Sequence, residues 1–220
     1  MLKAGCCPQI QPPRRKKITD QAGDVLAGWE VVGTAESPLA EVLQRCNTDS
    51  QNLFAEMLMK LNGAVATGSP GSWANGRLAV AQFLRTHDLP AEGVYVDDGS
   101  GLSRDNRVTA RLLALLLCRM RERADWETWR QSLAVGGDSG TLRRRFRGPL
   151  ENKLFGKTGY ISGVSSLSGY IEVRPEEYVA FSFIYNNVRG RVSPRQAQDN
   201  ACRVLYRDLA AQTRGGMSNE

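Results

Sequence analysis

The chain has 220 residues, 41% of them hydrophobic and 24% charged, the balance of a protein that buries one core. Its longest apolar run, Leu112 to Cys118, falls well short of the ~18–20 residues a bilayer span requires, so no integral membrane segment is expected. The net charge of +6 would suit an acidic partner, but the excess sits in Arg14-Arg15-Lys16-Lys17 and in Arg143-Arg144-Arg145 with Arg147, read as a tail and solvated faces; without interleaved aromatics or a zinc-finger pattern, no nucleic acid is expected.

Residues 1–35, with Pro8, Pro12, Pro13 and the first basic run, predict a disordered basic leader, relieved only by one short strand over 25–33. Ser37-Pro38 then reads as an N-cap followed by proline at the first helical position, with Leu39, Val42, Leu43 and Cys46 forming the apolar stripe. Asn47 to Ser50 breaks that helix. A second begins near Gln51, carries Leu53, Phe54, Met57, Leu58 and Leu61, and is expected to stop at Asn62-Gly63. A loop at 68–71 precedes a third helix from Ser72 to Arg85.

Val94-Tyr95-Val96 predicts a short strand running into the turn Asp97 to Gly101. Thr109 caps a long helix to about Arg123, and an amphipathic piece with Trp126, Trp129 and Leu133 follows. After the Gly136–Gly140 loop the apolar period changes from helical to alternating. Ser165 to Val173 and Tyr178 to Tyr185 read as two strands joined by a turn at 174–177, and a closing helix runs from Ser193 to about Gln212. Helices, then strands, then a helix indicate an α+β domain with an antiparallel sheet over 36–213, with 214–220 a tail.

Five cysteines without a Cys-x-x-Cys pair indicate neither a disulfide framework nor a zinc site, and Cys46, Cys118 and Cys202 are expected as small core residues. One histidine, His87, sits at a helix end and is expected on the surface or at the core edge; a histidine-rich metal site is excluded by count. No metal or organic cofactor is expected.

Chemistry concentrates at Gly156-Lys157-Thr158-Gly159. A phosphate-binding loop needs a glycine where Glu151 stands and a helix directly after the Lys-Thr pair, so that reading fails. Lys-Thr-Gly also belongs, with Ser-x-x-Lys and a Ser-x-Asn element, to the signature set of penicillin-binding proteins and class A β-lactamases. There the lysine sets a cation near a substrate carboxylate, the threonine hydroxyl donates to it, and the glycine admits close approach. Ser50-Gln51-Asn52, 107 residues upstream, supplies a Ser-x-Asn element: a serine able to relay a proton and an asparagine amide able to hold a substrate carbonyl. Taken alone, Ser50 reads as a helix N-cap. Ser103-Arg104-Asp105-Asn106 has the wrong spacing and reads as a structural turn beside the site.

Four ordered segments resemble the serine-type D-alanyl-D-alanine carboxypeptidases of peptidase family S13, low-molecular-mass class C penicillin-binding proteins. They are Asn47-Thr48-Asp49-Ser50-Gln51-Asn52-Leu53-Phe54-Ala55-Glu56, Asp98-Gly99-Ser100-Gly101-Leu102-Ser103, Asp138 to Phe146 (with Ser139 inserted), and Lys157-Thr158-Gly159 with Gly163 to Tyr170. The resemblance runs from about Ser37 to Leu209. It implies a penicillin-binding-protein/β-lactamase-like transpeptidase fold, incomplete at the N-terminus. It implies hydrolysis of the D-Ala-D-Ala end of peptidoglycan stem peptides through an acyl-enzyme, with possible endopeptidase action on cross-links. Ser50, Asn52 and Lys157 would be catalytic, Thr158 and Gly159 would bind substrate, and β-lactams would be inhibitors. The full-length family member would work in the periplasm or otherwise outside the cytoplasm, although this chain carries no export signal.

The family's attacking serine lies in Ser-x-x-Lys, and none of the six lysines here has a serine three residues before it. The expectation is therefore the C-terminal part of a longer enzyme, inactive alone. A non-catalytic wall-binding derivative and a β-lactamase-like hydrolase remain the alternatives.

Overall fold

The computed structural model describes residues 36–188 and 193–212, with Ala27, Gly28, Glu30 and Val32 besides. The expected leader, its short strand and the 214–220 tail otherwise lie outside the described residues. The helices are α1 (Leu39–Asn47), α2 (Asn52–Thr67), α3 (Trp73–Thr86), α4 (Ala110–Arg121), α5 (Trp126–Ser132) and α6 (Pro194–Gln212). The strands β1 (Ala134–Val135), β2 (Leu154–Ile161), β3 (Val164–Arg174) and β4 (Glu177–Tyr185) form one antiparallel sheet in sequence order. This is the α+β architecture the pattern predicted.

Alternation along the strands sends neighbouring side chains to opposite faces. Leu154, Leu167, Ile171 and Phe181 pack with Cys202, Leu205 and Leu209 of α6 on one face. Phe155, Tyr170, Tyr178 and Ala180 pack with Leu117 of α4 and with Trp126 and Trp129 of α5 on the other. The sheet is therefore sandwiched between helices. The Tyr170 hydroxyl, which is buried, donates to Leu117 O at 2.7 Å and accepts from the Trp129 indole at 3.2 Å, so this polar group inside the aromatic layer is satisfied as donor and as acceptor.

Helix starts follow their local chemistry. Ser72 and Thr109 accept from Asn75 N and Leu112 N, at 3.1 and 3.0 Å, and cap α3 and α4. Several local expectations give way to packing. α1 begins at Leu39, with Pro38 rather than Ser37 in the cap position. α2 does not stop at Gly63: it continues to Thr67 and ends at Gly68 in the left-handed region. Gly63 faces α3 instead, where a Cβ would lie 2.5 Å from Gly76 N, so the glycine marks a close helix crossing and not a terminus. Val94-Tyr95-Val96 forms only an isolated bridge, Tyr95 to Arg107. β1 carried no signal, since two residues cannot show a period.

Burial also corrects single residues. Cys202 is buried, Cys46 is partly buried and Cys118 is exposed on α4. Arg145 is no solvated cation: its Nε and Nη2 donate to Asp199 Oδ1 at 2.9 and 2.6 Å, and Nη2 donates to the buried Gln198 at 3.1 Å. His87 sits at the end of α3, stacked on Phe83 with Nδ1 2.9 Å from Phe83 O, as a core-edge residue. Among the described residues no helix is long and apolar enough to cross a membrane.

Candidate active site

The α1–α2 connection presents Ser50. Asn47, buried at the end of α1, donates to Ser132 Oγ at 2.8 Å, and Thr48 Oγ1 donates to Ser132 O at 2.7 Å, anchoring the loop on α5. Ser50 itself takes φ 57°, a left-handed conformation that few non-glycine residues adopt. It is not the N-cap of α2. Gln51 holds that position, leaving the Ser50 hydroxyl free to face the sheet.

What it meets is Lys157. On β2 the Lys157 ammonium donates to Ser50 Oγ at 2.6 Å and to Thr158 O at 2.6 Å. A third ammonium proton has no acceptor among the described residues, and no carboxylate there pairs with Lys157. Burial lowers its pKa from the usual lysine value, with nearby Cys46 partly opposing. A partly buried cation whose partners are a hydroxyl and a carbonyl is a prepared seat for an incoming anion.

Thr158 Oγ1 donates to Thr141 Oγ1 at 2.9 Å. Thr141 lies in the 3-10 turn Gly140–Leu142, which docks on the Ser50 loop through Thr141 N to Thr48 O at 3.3 Å. Gly159 continues β2 against Ser166, whose Oγ lies 2.4 Å from where a Cβ would stand. Asn52 opens α2 with its side chain exposed, and its amide has no hydrogen-bond partner among the described residues. The structure thus brings all five expected residues, Ser50, Asn52, Lys157, Thr158 and Gly159, to one cleft of about 910 Å³. Arg104, Arg107, Arg145 and Arg195 also line it, and among the described residues no Asp or Glu does. The cleft is electropositive, which favours anionic ligands.

One wall is the Asp98–Ser103 turn, held by two carboxylates. Asp98 accepts from Gly101 N, Ser103 N and the Asn106 amide at 2.7–2.8 Å. Glu56, one helical turn after Asn52, accepts from Gly99 N at 3.2 Å, Ser100 N at 3.0 Å and the Trp73 indole at 2.7 Å. Burial pushes both carboxyls up, but these hydrogen bonds together outweigh it and hold them below the usual range. Sequence reasoning assigned no role to Thr141 or Glu56. The only signal for either was its place within the segments Asp138–Phe146 and Asn47–Glu56.

The family model described as the D-Ala-D-Ala carboxypeptidase 3 (S13) family matches residues 17–207. A D-alanyl-D-alanine carboxypeptidase of Actinomadura sp. is 38% identical over 188 residues, covering 80% of this chain and 34% of that protein. A carboxypeptidase of Mycobacterium tuberculosis is 33% identical, over 73% of this chain and 36% of its own length. Penicillin binding protein 4 from Haemophilus influenzae, solved with a β-lactam, shares the fold with a TM-score of 0.68 at 28% identity, over 79% of this chain and 42% of that one. The chain spans little more than a third of the length of the curated relatives it matches. By the matched family model and these relatives, the chain belongs to the D-Ala-D-Ala carboxypeptidase 3 (S13) family.

Proposed function

We propose that this chain forms the substrate-holding side of a serine D,D-peptidase site that acts on peptidoglycan stem peptides ending in D-Ala-D-Ala, outside the cytoplasmic membrane. The observation that carries the reading is the 2.6 Å contact between Lys157 Nζ and Ser50 Oγ, which joins segments 107 residues apart into one cationic, hydroxyl-bearing pocket. Lys157 and Thr158 take the terminal carboxylate of the stem peptide, and Gly159 admits its backbone to the β2 edge. Asn52, with its amide unpartnered, holds the penultimate carbonyl. Ser50 relays a proton between the catalytic base and the departing D-alanine amine.

The attacking serine and its lysine base come from the part of the family's length that these 220 residues do not span, since no Ser-x-x-Lys occurs among them. The carboxylate of a β-lactam suits the same Lys157–Thr158 seat, and the Haemophilus influenzae relative was solved with a β-lactam.

Titration calorimetry with an N-acetylated peptide ending in D-Ala-D-Ala tests the reading. The chain binds it, the C-terminal amide of the same peptide binds about tenfold or more weakly, and Lys157→Ala abolishes the difference. Equal affinity for acid and amide would sink the assignment. Fluorescent penicillin leaves the chain unlabelled; a covalent adduct would place the nucleophile within these residues after all.

A further inference from the structure

Behind the Asp98–Ser103 turn lies a second hollow of about 450 Å³ that shares Ser100 and Leu102 with the cleft but none of its Lys157 chemistry. Its floor is Trp73, the first residue of α3. Trp73 is held firmly: Ser72 caps the helix beneath it, its indole N–H donates to Glu56 at 2.7 Å, and the Lys60 ammonium sits 3.8 Å from the ring centroid. Even so, it remains 48% exposed. A tryptophan fixed by two side-chain contacts at a capped helix start and still open to solvent is a rigid platform, for which ordering upon binding costs little.

The rim chemistry narrows the ligand. Glu56 and Asp98 have spent their carboxylates on the turn's backbone N–H groups. The open polar pair is Arg77 and Asp97, one helical turn from Trp73 and across from it. Arg77 Nη1 donates to Asp97 O at 3.2 Å and lies 3.4 Å from Asp97 Oδ1. Asp97 Oδ2 and the remaining guanidinium N–H groups have no partner among the described residues. Both side chains are about one third exposed. Leu102, also exposed, closes the side toward the cleft. Arg77 and Asp97 offset each other and the carboxylates of Glu56 and Asp98 leave the hollow net negative, which disfavours an anion, while the N–H groups that occupy Glu56 and Asp98 leave a cation only Asp97 Oδ2 to meet. A flat aromatic face beside a neutralised donor–acceptor pair matches a ring with one apolar C–H face and hydroxyls at its edge.

We propose that the Trp73–Arg77–Asp97 shelf is a saccharide-binding site, in which a pyranose stacks on Trp73 and its hydroxyls are read by Arg77 and Asp97. The choice of an N-acetylated hexosamine as ligand rests on the peptidoglycan reading above; the shelf itself asks only for a neutral sugar. On that reading the glycan strand lies on the shelf while its stem peptide enters the cleft across Leu102.

The test is a titration of the ¹⁵N-labelled chain with N-acetylchitotriose, followed at the indole N–H signals and the amides of 73–77 and 97–102. A saturable shift of the Trp73 indole and these amides is expected, with the Trp126 and Trp129 signals unmoved. Trp73→Ala weakens binding by about tenfold or more, the loss of one stacked aromatic. Trp73→Phe keeps a ring without the Glu56 bond and retains most of the affinity, which separates stacking from folding. Arg77→Gln weakens binding with an unchanged melting temperature. Lys157→Ala binds the sugar normally, so a failed peptidase reading and a failed shelf give different results. No shift at Trp73, or shifts confined to the Lys157 cleft, would overturn the proposal. So would a Trp73→Ala protein that binds as well as the parent.

Discussion

Lys157 Nζ lies 2.6 Å from Ser50 Oγ, and Ser50 makes this contact from a left-handed backbone conformation. That contact brings together a strand and a helix–helix connection through one hydrogen bond. It also leaves Lys157 without a carboxylate partner among the described residues, and two consequences follow for pH.

Burial lowers the Lys157 pKa, so the folded protein releases this proton at lower pH than the unfolded chain does. Carboxylate binding needs the charged ammonium and is expected to weaken as pH rises through the lowered value, below the ordinary 10.5. Stability moves the other way. Between the folded and unfolded pKa values the unfolded chain binds more protons, so Lys157 makes unfolding harder as pH rises across that window. Lys157→Met removes both trends, and denaturant melts with peptide titrations between pH 7 and 10.5 would show it. Identical pH profiles for the two proteins would contradict the buried-cation description.

Gly140 fixes how the 3-10 turn meets the Ser50 loop. It has φ 52°, and a Cβ there would stand 2.3 Å from Thr48 O. Gly140→Ala is expected to destabilise the fold by about 2 kcal/mol or more and to weaken peptide binding by displacing Thr141. Gly148 also has a positive φ, but nothing lies within 4 Å of its would-be Cβ. Gly148→Ala therefore carries backbone strain alone, about 1 kcal/mol, and leaves binding intact. Thermal melts of the two variants side by side separate clash from strain.

Arg145, Asp199 and Gln198 tie the loop before β2 to α6, and the Arg145 and Asp199 side chains are largely buried. Arg145→Ala strands Asp199 in a place built for a cation and is expected to lose about 3 kcal/mol. Arg145→Met with Asp199→Leu together should recover much of that loss, because the desolvation of two charges is removed along with their attraction. Chemical denaturation of both would show whether the pair or the packing matters.

Leu53, Met57, Leu61 and Val65 recur every four residues along α2 and are each more than half exposed, a stripe contiguous with Asn52. Helical surfaces of this kind bind apolar dyes and each other. The chain is expected to brighten anilinonaphthalene sulfonate and to self-associate with rising concentration in sedimentation. Met57→Lys with Leu61→Lys should reduce both without lowering the melting temperature.

Some local signals were legible in the amino-acid sequence alone. The cap at Thr109, the helix start at Ser72, the alternation of β3 and β4 and the turn at 174–177 depend on neighbours within a few residues, and each lies where the pattern put it. The five candidate site residues were legible because the segments around them resemble one family in order. The rest depended on contacts distant in sequence. Gly63 reads as a helix stop until α3 is packed against it. Arg145 reads as a surface cation until α6 brings Asp199 alongside. Two-residue β1 has no period to display, and the Ser50 hydroxyl reads as a cap until the sheet presents Lys157. Sequence by itself determined which side chains could do the chemistry; tertiary structure decided which of them meet and in what charge environment, because burial and Coulomb interactions act through space and not along the chain.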